Sequence, residues 1–209
     1  MSAATPCSAW PQRPLLRAGV VAPDSTPARV AALDEQRALR STLGRFATGV
    51  AIVTARDGEG PPWGLTINSF ASISLDPPLV QWSLAAAAAS RPVFQRAAFH
   101  AINVLAASQG ALARRFSARD VDRFAGVPLR NGPHGAVLIE GALAHFVGRV
   151  CARREIGDHL VFVSEVRHHR IGPGEPLVFY AGRYWTPGRP VDVASAPART
   201  SESALLSSP

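Results

Sequence analysis

From Gly64 to Leu84 the chain reads GLTINSFASISLDPPLVQWSL, and its side chains alternate in character. On an extended backbone Leu65, Ile67 and Ser69 point one way, and Thr66, Asn68 and Phe70 the other. The pattern predicts two strands joined by a turn at Leu75-Asp76-Pro77-Pro78. A strand meant only to bury a core would carry Val or Ile where this one carries Thr, Asn and Ser. Such short polar groups either face water at a sheet edge or hydrogen-bond the rim of a planar ligand that the backbone approaches closely.

The rest of the chain falls into order around this stretch. Residues 1–28 contain five prolines and no sustained period, which predicts an extended or disordered arm. Asp34 to Thr48 predicts a helix, with Leu33, Leu39, Leu43, Phe46 and Ala47 at helical spacing and Gly49 at its C-cap. Val50 to Thr54 predicts a short strand and Asp57-Gly58-Glu59-Gly60 a turn. Ser90 ahead of Pro92 predicts a helix start; with Arg91 beside it, this is either an ordinary cap or an anion site. Phe99 to Leu105 predicts a strand, followed by a helix from Gln109 through Phe116. Val137 to Arg154, Leu160 to Val166 and Leu177 to Tyr180 supply further strands. Pro, Ala, Ser and Arg return after Thr186, so a single domain at 29–187 is expected between the arm and a mobile tail at 188–209.

Composition narrows the function. Hydrophobic residues make up 47% and charged residues 18% of the 209, a globular balance. No apolar run reaches the roughly 18 to 20 residues of a membrane helix. Pro11, Gln12, Arg13 and Pro14 interrupt any secretory h-region. Two cysteines make no disulfide framework; Cys151 reads as a buried structural thiol, and a reducing cytoplasm is the default compartment. The net charge of +7 comes from 22 basic residues, all arginine and scattered, which suits phosphate-bearing small ligands better than nucleic acid. Without lysine, no Schiff-base chemistry is available. Gly58, Gly60 and Gly64 do not form a dinucleotide fingerprint, and no Walker loop occurs. His168 and His169 with Asp158 and His159 match no structural zinc spacing, so no metal is expected. Arg114 and Arg115 either clamp a phosphate or form a solvated helix face.

Thr66-Ile67-Asn68-Ser69-Phe70, Ser72, Ser74-Leu75 and Asp76-Pro77-Pro78-Leu79 together resemble the signature of the flavin reductase family. These are the short reductase partners of two-component flavin-dependent monooxygenases. The resemblance continues through Asn103-Val104-Leu105, Gln109, Phe116-Ser117, Asp122-Arg123-Phe124 and Gly157-Asp158-His159, and spans about Leu39 to Trp185. Two positions depart from it: family members often carry a cysteine where Gly148 stands, and a glycine where Ser164 stands. The resemblance implies a mainly β fold with flanking helices, an FMN-binding split barrel (a Greek-key antiparallel β-barrel), in a homodimer with flavin near the subunit interface. It implies hydride transfer from NADH or NADPH to FMN or FAD, with the reduced flavin diffusing to a separately encoded flavin-dependent monooxygenase. No catalytic side chain is then needed, because the two cofactors carry the chemistry. For cofactor binding it implies Thr66, Asn68, Ser69, Phe70, Ser72 and Ser83 from the organising stretch. Ser90 and Arg91 would hold the flavin phosphate, Asp158 and His159 would lie where nicotinamide meets flavin, and Arg183 sits in the closing strand. The rival readings are an oxidase of the pyridoxamine-phosphate type and a non-catalytic flavin carrier.

Overall fold

The computed structural model describes residues 26–188. Among the described residues there are three α-helices, α1 (Thr26–Leu43), α2 (Arg91–Arg96) and α3 (Gly110–Ser117). The strands are β1 (Thr48–Gly49), β2 (Ala51–Ala55), β3 (Trp63–Ile67), β4 (Ala71–Leu75), β5 (Pro78–Ala85) and β6 (Phe99–Val104). There follow β7 (Leu129–Asn131), β8 (Val137–Ile139), β9 (Ala144–Ile156), β10 (His159–Ile171), β11 (Val178–Tyr180) and β12 (Arg183–Trp185). Seven strands form one antiparallel sheet in the order β3-β2-β6-β9-β10-β5-β4. Small sheets β1-β11-β12 and β7-β8 complete the architecture.

Chain connectivity dictates the shape of the large sheet. β3 and β4 are its two edges, yet only Asn68, Ser69 and Phe70 separate them in sequence. Four Cα steps reach at most about 14 Å, whereas six strand spacings in a flat sheet span about 29 Å. The sheet therefore curls until its edges are neighbours. Ser69 carries the β4–β5 pairing back beyond Ala71 towards β3: the Ser83 backbone N–H donates to its Oγ at 3.0 Å, and the hydroxyl lies 3.2 Å from the Ser83 carbonyl. Phe70 turns inward against Phe146, with ring centroids 5.4 Å apart. The single strand expected from Gly64 to Leu75 is thus two strands, broken where the barrel shuts.

Inside the barrel Trp82 stacks on Phe162 at 4.5 Å and meets Phe94 edge-on. His100 is buried among them. Trp82 Nε1–H donates to His100 Nδ1 at 3.2 Å, which leaves Nε2–H to donate to the Phe94 carbonyl at 3.0 Å. Both nitrogens are satisfied only in the neutral ring, and burial pushes the pKa down to about 3. A second core lies on the outer face, where Ala113 and Phe116 of α3 pack on Ile52, Leu105, Ile139 and Leu177.

The two departures from the family pattern touch each other. Across the β9–β10 ladder, a Cβ placed on Gly148 would lie 2.8 Å from Ser164 Cβ. Only one of the two positions has room for a side chain, so a glycine at 148 answers a serine at 164.

Several expectations need correction. The first helix ends at Leu43, not Thr48: the Gly44 N–H closes the last turn on the Arg40 carbonyl at 2.9 Å. Beyond it Thr48-Gly49 pairs with Val178 and Phe179, a demand that helical spacing does not reveal. The helix begins at Thr26, inside the expected arm; the rest of that arm, 1–25, and the tail from 189 lie outside the described residues. Its apolar positions are not core: Leu33, Leu39 and Leu43 are exposed, as are Phe46 at 78% and Leu75 of β4 at 92%. β7 was not expected. Cys151 is half-buried and disulfide-bonded, not a buried free thiol.

Candidate functional site

A cleft of about 920 Å³ opens on the outer face of the barrel. Its floor is the β3 segment Trp63 to Thr66. One wall is Phe116 and Ser117 of α3 with the loop from Arg119 to Phe124, and the opposite wall is the alanine loop from Ala85 to Ser90. Side-chain to backbone bonds hold floor and first wall together. Thr66 Oγ1–H donates to the Ala113 carbonyl at 2.8 Å. Arg123 Nη1–H donates to the Gly64 carbonyl at 2.9 Å, while its Nε and Nη2 donate to the Ala118 carbonyl at 3.2 and 2.7 Å. Asp122 accepts from the N–H groups of Phe124 and Ala125 and so fixes the loop's turn. Gly64 is required here, because a Cβ would stand 2.7 Å from the Phe116 ring.

The alanine loop is held from its far side by the Gly-Asp-His turn. The Ala86 N–H donates to the Asp158 carbonyl at 2.8 Å, and His159 pairs with Ala85 across the β5–β10 ladder. His159 Nδ1 lies 2.7 Å from the Asp158 carboxylate, and this hydrogen bond holds the exposed carboxyl below the usual carboxylate range. A smaller cavity of about 150 Å³ adjoins the cleft, sharing Thr66 and Ser117 with it and adding Asn68, Phe179 and Tyr184.

The structure therefore sorts the expected site residues. Thr66 and Ser90 line the cleft, Ser90 buried at the start of α2 with no capping bond from its side chain. Asn68 lines the adjoining cavity. Ser69 and Ser83 bond each other at the barrel closure, and Phe70 packs into the core. Ser72 is exposed on β4, and Arg183 is exposed on β12, neither lining the cleft. Arg91 is paired with Glu155 and also donates to Gln95 and the Ala86 carbonyl, so it braces the alanine loop from outside the cleft. Asp158 and His159 stand behind the same loop. Neither Arg114 nor Arg115 lines the cleft; Arg115 instead donates to the Ala125 carbonyl at 2.7 Å.

The arginines that do line it are Arg119 and Arg123, together with Ser117, Phe116 and Phe124. Phe116, Ser117, Arg123 and Phe124 belong to the Phe116-Ser117 and Asp122-Arg123-Phe124 motifs that the resemblance already contains, whereas nothing in the sequence singles out Arg119. Arg123 bonds only carbonyls and Arg119 has no ion pair among the described residues, so both charges remain available to an anion. Asp120 and Asp122 share the same rim. Among the described residues no cluster could hold a metal ion.

A volume of this size, an aromatic wall, hydroxyls and two arginines suit a flat phosphate-bearing cofactor. Comparison with known proteins agrees with that chemistry. The sequence profile described as "Flavin reductase like domain" matches residues 43–188. The chain is 42% identical over 151 residues to FMN reductase (NADH) SmoA of Agrobacterium fabrum, covering 72% of this chain and 86% of that protein. It is 37% identical over 181 residues to the flavin-dependent monooxygenase reductase subunit HsaB of Rhodococcus jostii, covering 84% and 89%. Its fold superposes on the NADH:FAD oxidoreductase SgcE6 of Streptomyces globisporus with a TM-score of 0.69 and 36% identity, covering 74% of this chain and 95% of that one.

Proposed function

The chain belongs to the flavin reductase family, and we propose that it is an NAD(P)H:flavin oxidoreductase that supplies reduced flavin to a separate monooxygenase. The carrying observation is the cleft: one cavity joins Thr66, Ser90, Ser117, Arg119 and Arg123 around an aromatic wall. The similar proteins name NADH as donor and FMN or FAD as the flavin, and one of them is a monooxygenase subunit. Bound there, the flavin supplies a hydride acceptor and nicotinamide the donor.

The chain's own work is placement. Arg119 and Arg123 neutralise phosphate, Ser90, whose hydroxyl makes no capping bond, donates to it, and Phe116 and Phe124 exclude water from one side. His159 positions the nicotinamide at the edge of the alanine loop, which the Asp158 carbonyl steadies. The fold is read as the split-barrel version of this closed sheet, assembled as a homodimer in the cytoplasm. Support for the dimer comes from the exposed Leu33, Leu39 and Leu43 of α1 with Phe46 just beyond it, apolar side chains that a second subunit would cover.

The test follows NADH and NADPH absorbance with purified protein in the presence of FMN, FAD or no flavin. Oxidation that depends on flavin is expected. Oxidation independent of flavin, or none with either, refutes the reading. Amine oxidation by oxygen without nicotinamide would favour the pyridoxamine-phosphate type instead.

A further inference from the structure

The neck between the cleft and its side cavity carries two hydroxyls whose protons are already spent. Thr66 Oγ1–H donates to the Ala113 carbonyl at 2.8 Å, and Ser117 Oγ–H donates to the same oxygen at 2.9 Å. A carbonyl only accepts and a hydroxyl has a single proton, so neither group has a hydrogen left for a ligand. Both residues line the cleft and the side cavity alike. They present lone pairs only, which answer an N–H and give nothing to phosphate or carbonyl oxygens.

The side cavity has the opposite character. Asn68 and Tyr184 line it, and neither side chain forms a hydrogen bond among the described residues. The Asn68 amide and the Tyr184 hydroxyl are both free to donate. Val50, Ile67 and Phe179 supply apolar walls. Its volume of about 150 Å³ is well under the roughly 300 Å³ at which sites for whole small molecules begin. It therefore takes one end of a molecule whose remainder lies in the adjoining cleft.

An isoalloxazine has two chemically different ends. The dimethylbenzene end hydrogen-bonds nothing. The other is an imide, with the N3–H donor between the C2 and C4 carbonyls. Lone pairs at the neck match the N–H, and the two free donors match the carbonyls. A nicotinamide carboxamide has one carbonyl and would leave one of those donors idle.

We propose, building on the flavin reductase reading, that the side cavity is the subsite for the pyrimidine edge of the flavin. N3–H donates to the oxygen pair of Thr66 and Ser117, Asn68 and Tyr184 donate to the flanking carbonyls, and the phosphate is left to the arginines of the cleft. Thr66 and Ser117 determine specificity through the protons they have already given to Ala113.

The test is calorimetric titration of the full-length protein with FMN and with 3-methyl-FMN, in which a methyl group replaces the N3 hydrogen and the phosphate is unchanged. The methylated flavin should bind about tenfold or more weakly, the effect of a lost hydrogen bond and an acceptor left unpaired. Thr66→Val/Ser117→Ala removes both oxygens; it should weaken FMN by a similar factor and leave 3-methyl-FMN where it was. Thr66→Ser should bind FMN as the wild type does, and Tyr184→Phe should weaken both flavins alike, since both keep their carbonyls. Failure of the wild type to bind FMN at all overturns the flavin reductase reading itself. With FMN bound, equal affinity of the wild type for the two flavins overturns the subsite. Equal loss of both flavins in Thr66→Val/Ser117→Ala means that the hydroxyls only brace α3, and overturns their role in reading N3–H.

Discussion

Replacing Gly148 by alanine tests the packing of the barrel wall in a way that fixes the sign of the effect beforehand. In a strand, glycine is ordinarily about 0.5–1 kcal/mol worse than alanine, and Gly148 has no positive φ to excuse it. Here the added Cβ would meet Ser164 Cβ at 2.8 Å and the Glu165 carbonyl at 3.6 Å, inside a ladder that cannot slide. Overpacking of this kind costs about 1–3 kcal/mol, or roughly 2–12 °C of melting temperature in a chain of this size. In a Ser164→Gly background the obstacle is gone, and Gly148→Ala should instead stabilise by the ordinary 0.5–1 kcal/mol or so. The coupling between the two changes is then about 1.5–4 kcal/mol, above the additive limit for distant sites. Ser164→Ala is the control. It removes a buried hydroxyl that has no partner but keeps the Cβ, so alone it is neutral or stabilising and rescues nothing. Urea unfolding of the four proteins of the cycle, with the control pair alongside, reads all of this. If Gly148→Ala shifts stability by the same amount in both backgrounds, the two strands have room that the geometry denies.

Three other outcomes follow from particular contacts. Arg119→Ala should weaken flavin binding about tenfold or more, the scale of a charged hydrogen bond, and leave flavin-free stability within about 0.5 kcal/mol; calorimetric titration showing unaltered affinity removes Arg119 from the site. Ser69→Ala should lower stability by about 1–3 kcal/mol, because the Ser83 N–H loses its acceptor at the barrel closure; an unchanged melting temperature in flavin-free protein would show that the bond is idle. His100 makes stability depend on pH. Its folded pKa of about 3 lies below the unfolded 6.5, so between these values the unfolded chain binds a proton that the folded one refuses. Its contribution is complete above pH 6.5 and is lost at about 1.4 kcal/mol per pH unit on acidification; a His100→Asn variant whose stability falls as steeply from pH 6.5 to 5 would contradict this.

How far the sequence could be read depended on the range of the interactions involved. β5, β6 and β10 were legible because their apolar residues run or alternate without interruption and meet well-packed partners on both sides. The break at Asn68-Ser69-Phe70 was not, because alternation continues straight through it. What bends the chain there is a bond to Ser83, fourteen residues away, and the tilted packing of Phe70 against Phe146. α1 was seen but overextended, since Phe46 and Ala47 satisfy helical spacing by coincidence, and a two-residue strand carries no period at all. The arginines show the same limit more sharply. Arg91, beside Ser90, and Arg123, beside Phe124, are equally plausible phosphate ligands in sequence. Arg91 is taken by Glu155, 64 positions away, while Arg123 meets only carbonyls and pairs with no carboxylate within the cleft. Spacing can nominate a phosphate ligand, but only tertiary pairing decides whether its charge is free.

The fastenings around the cleft share one property. Thr66 to the Ala113 carbonyl, Arg123 to the Gly64 and Ala118 carbonyls, Ser69 to Ser83, and Ala86 to the Asp158 carbonyl all join floor, walls and closure through hydroxyl, guanidinium or peptide groups. None of these titrates between pH 5 and 8. Two cofactors that exchange a hydride ask for a fixed distance and a dry interface more than for a proton relay. A cleft braced by such groups keeps its shape across that pH range, and its walls derive from the same three residues that close the sheet and from the strands on either side of them. Site and fold are therefore linked at one short segment, Asn68-Ser69-Phe70 between β3 and β4, and this is why the polar residues of that stretch divide so unequally: Thr66 and Asn68 remain at the cavities, and Ser69 is given up to the pairing with β5.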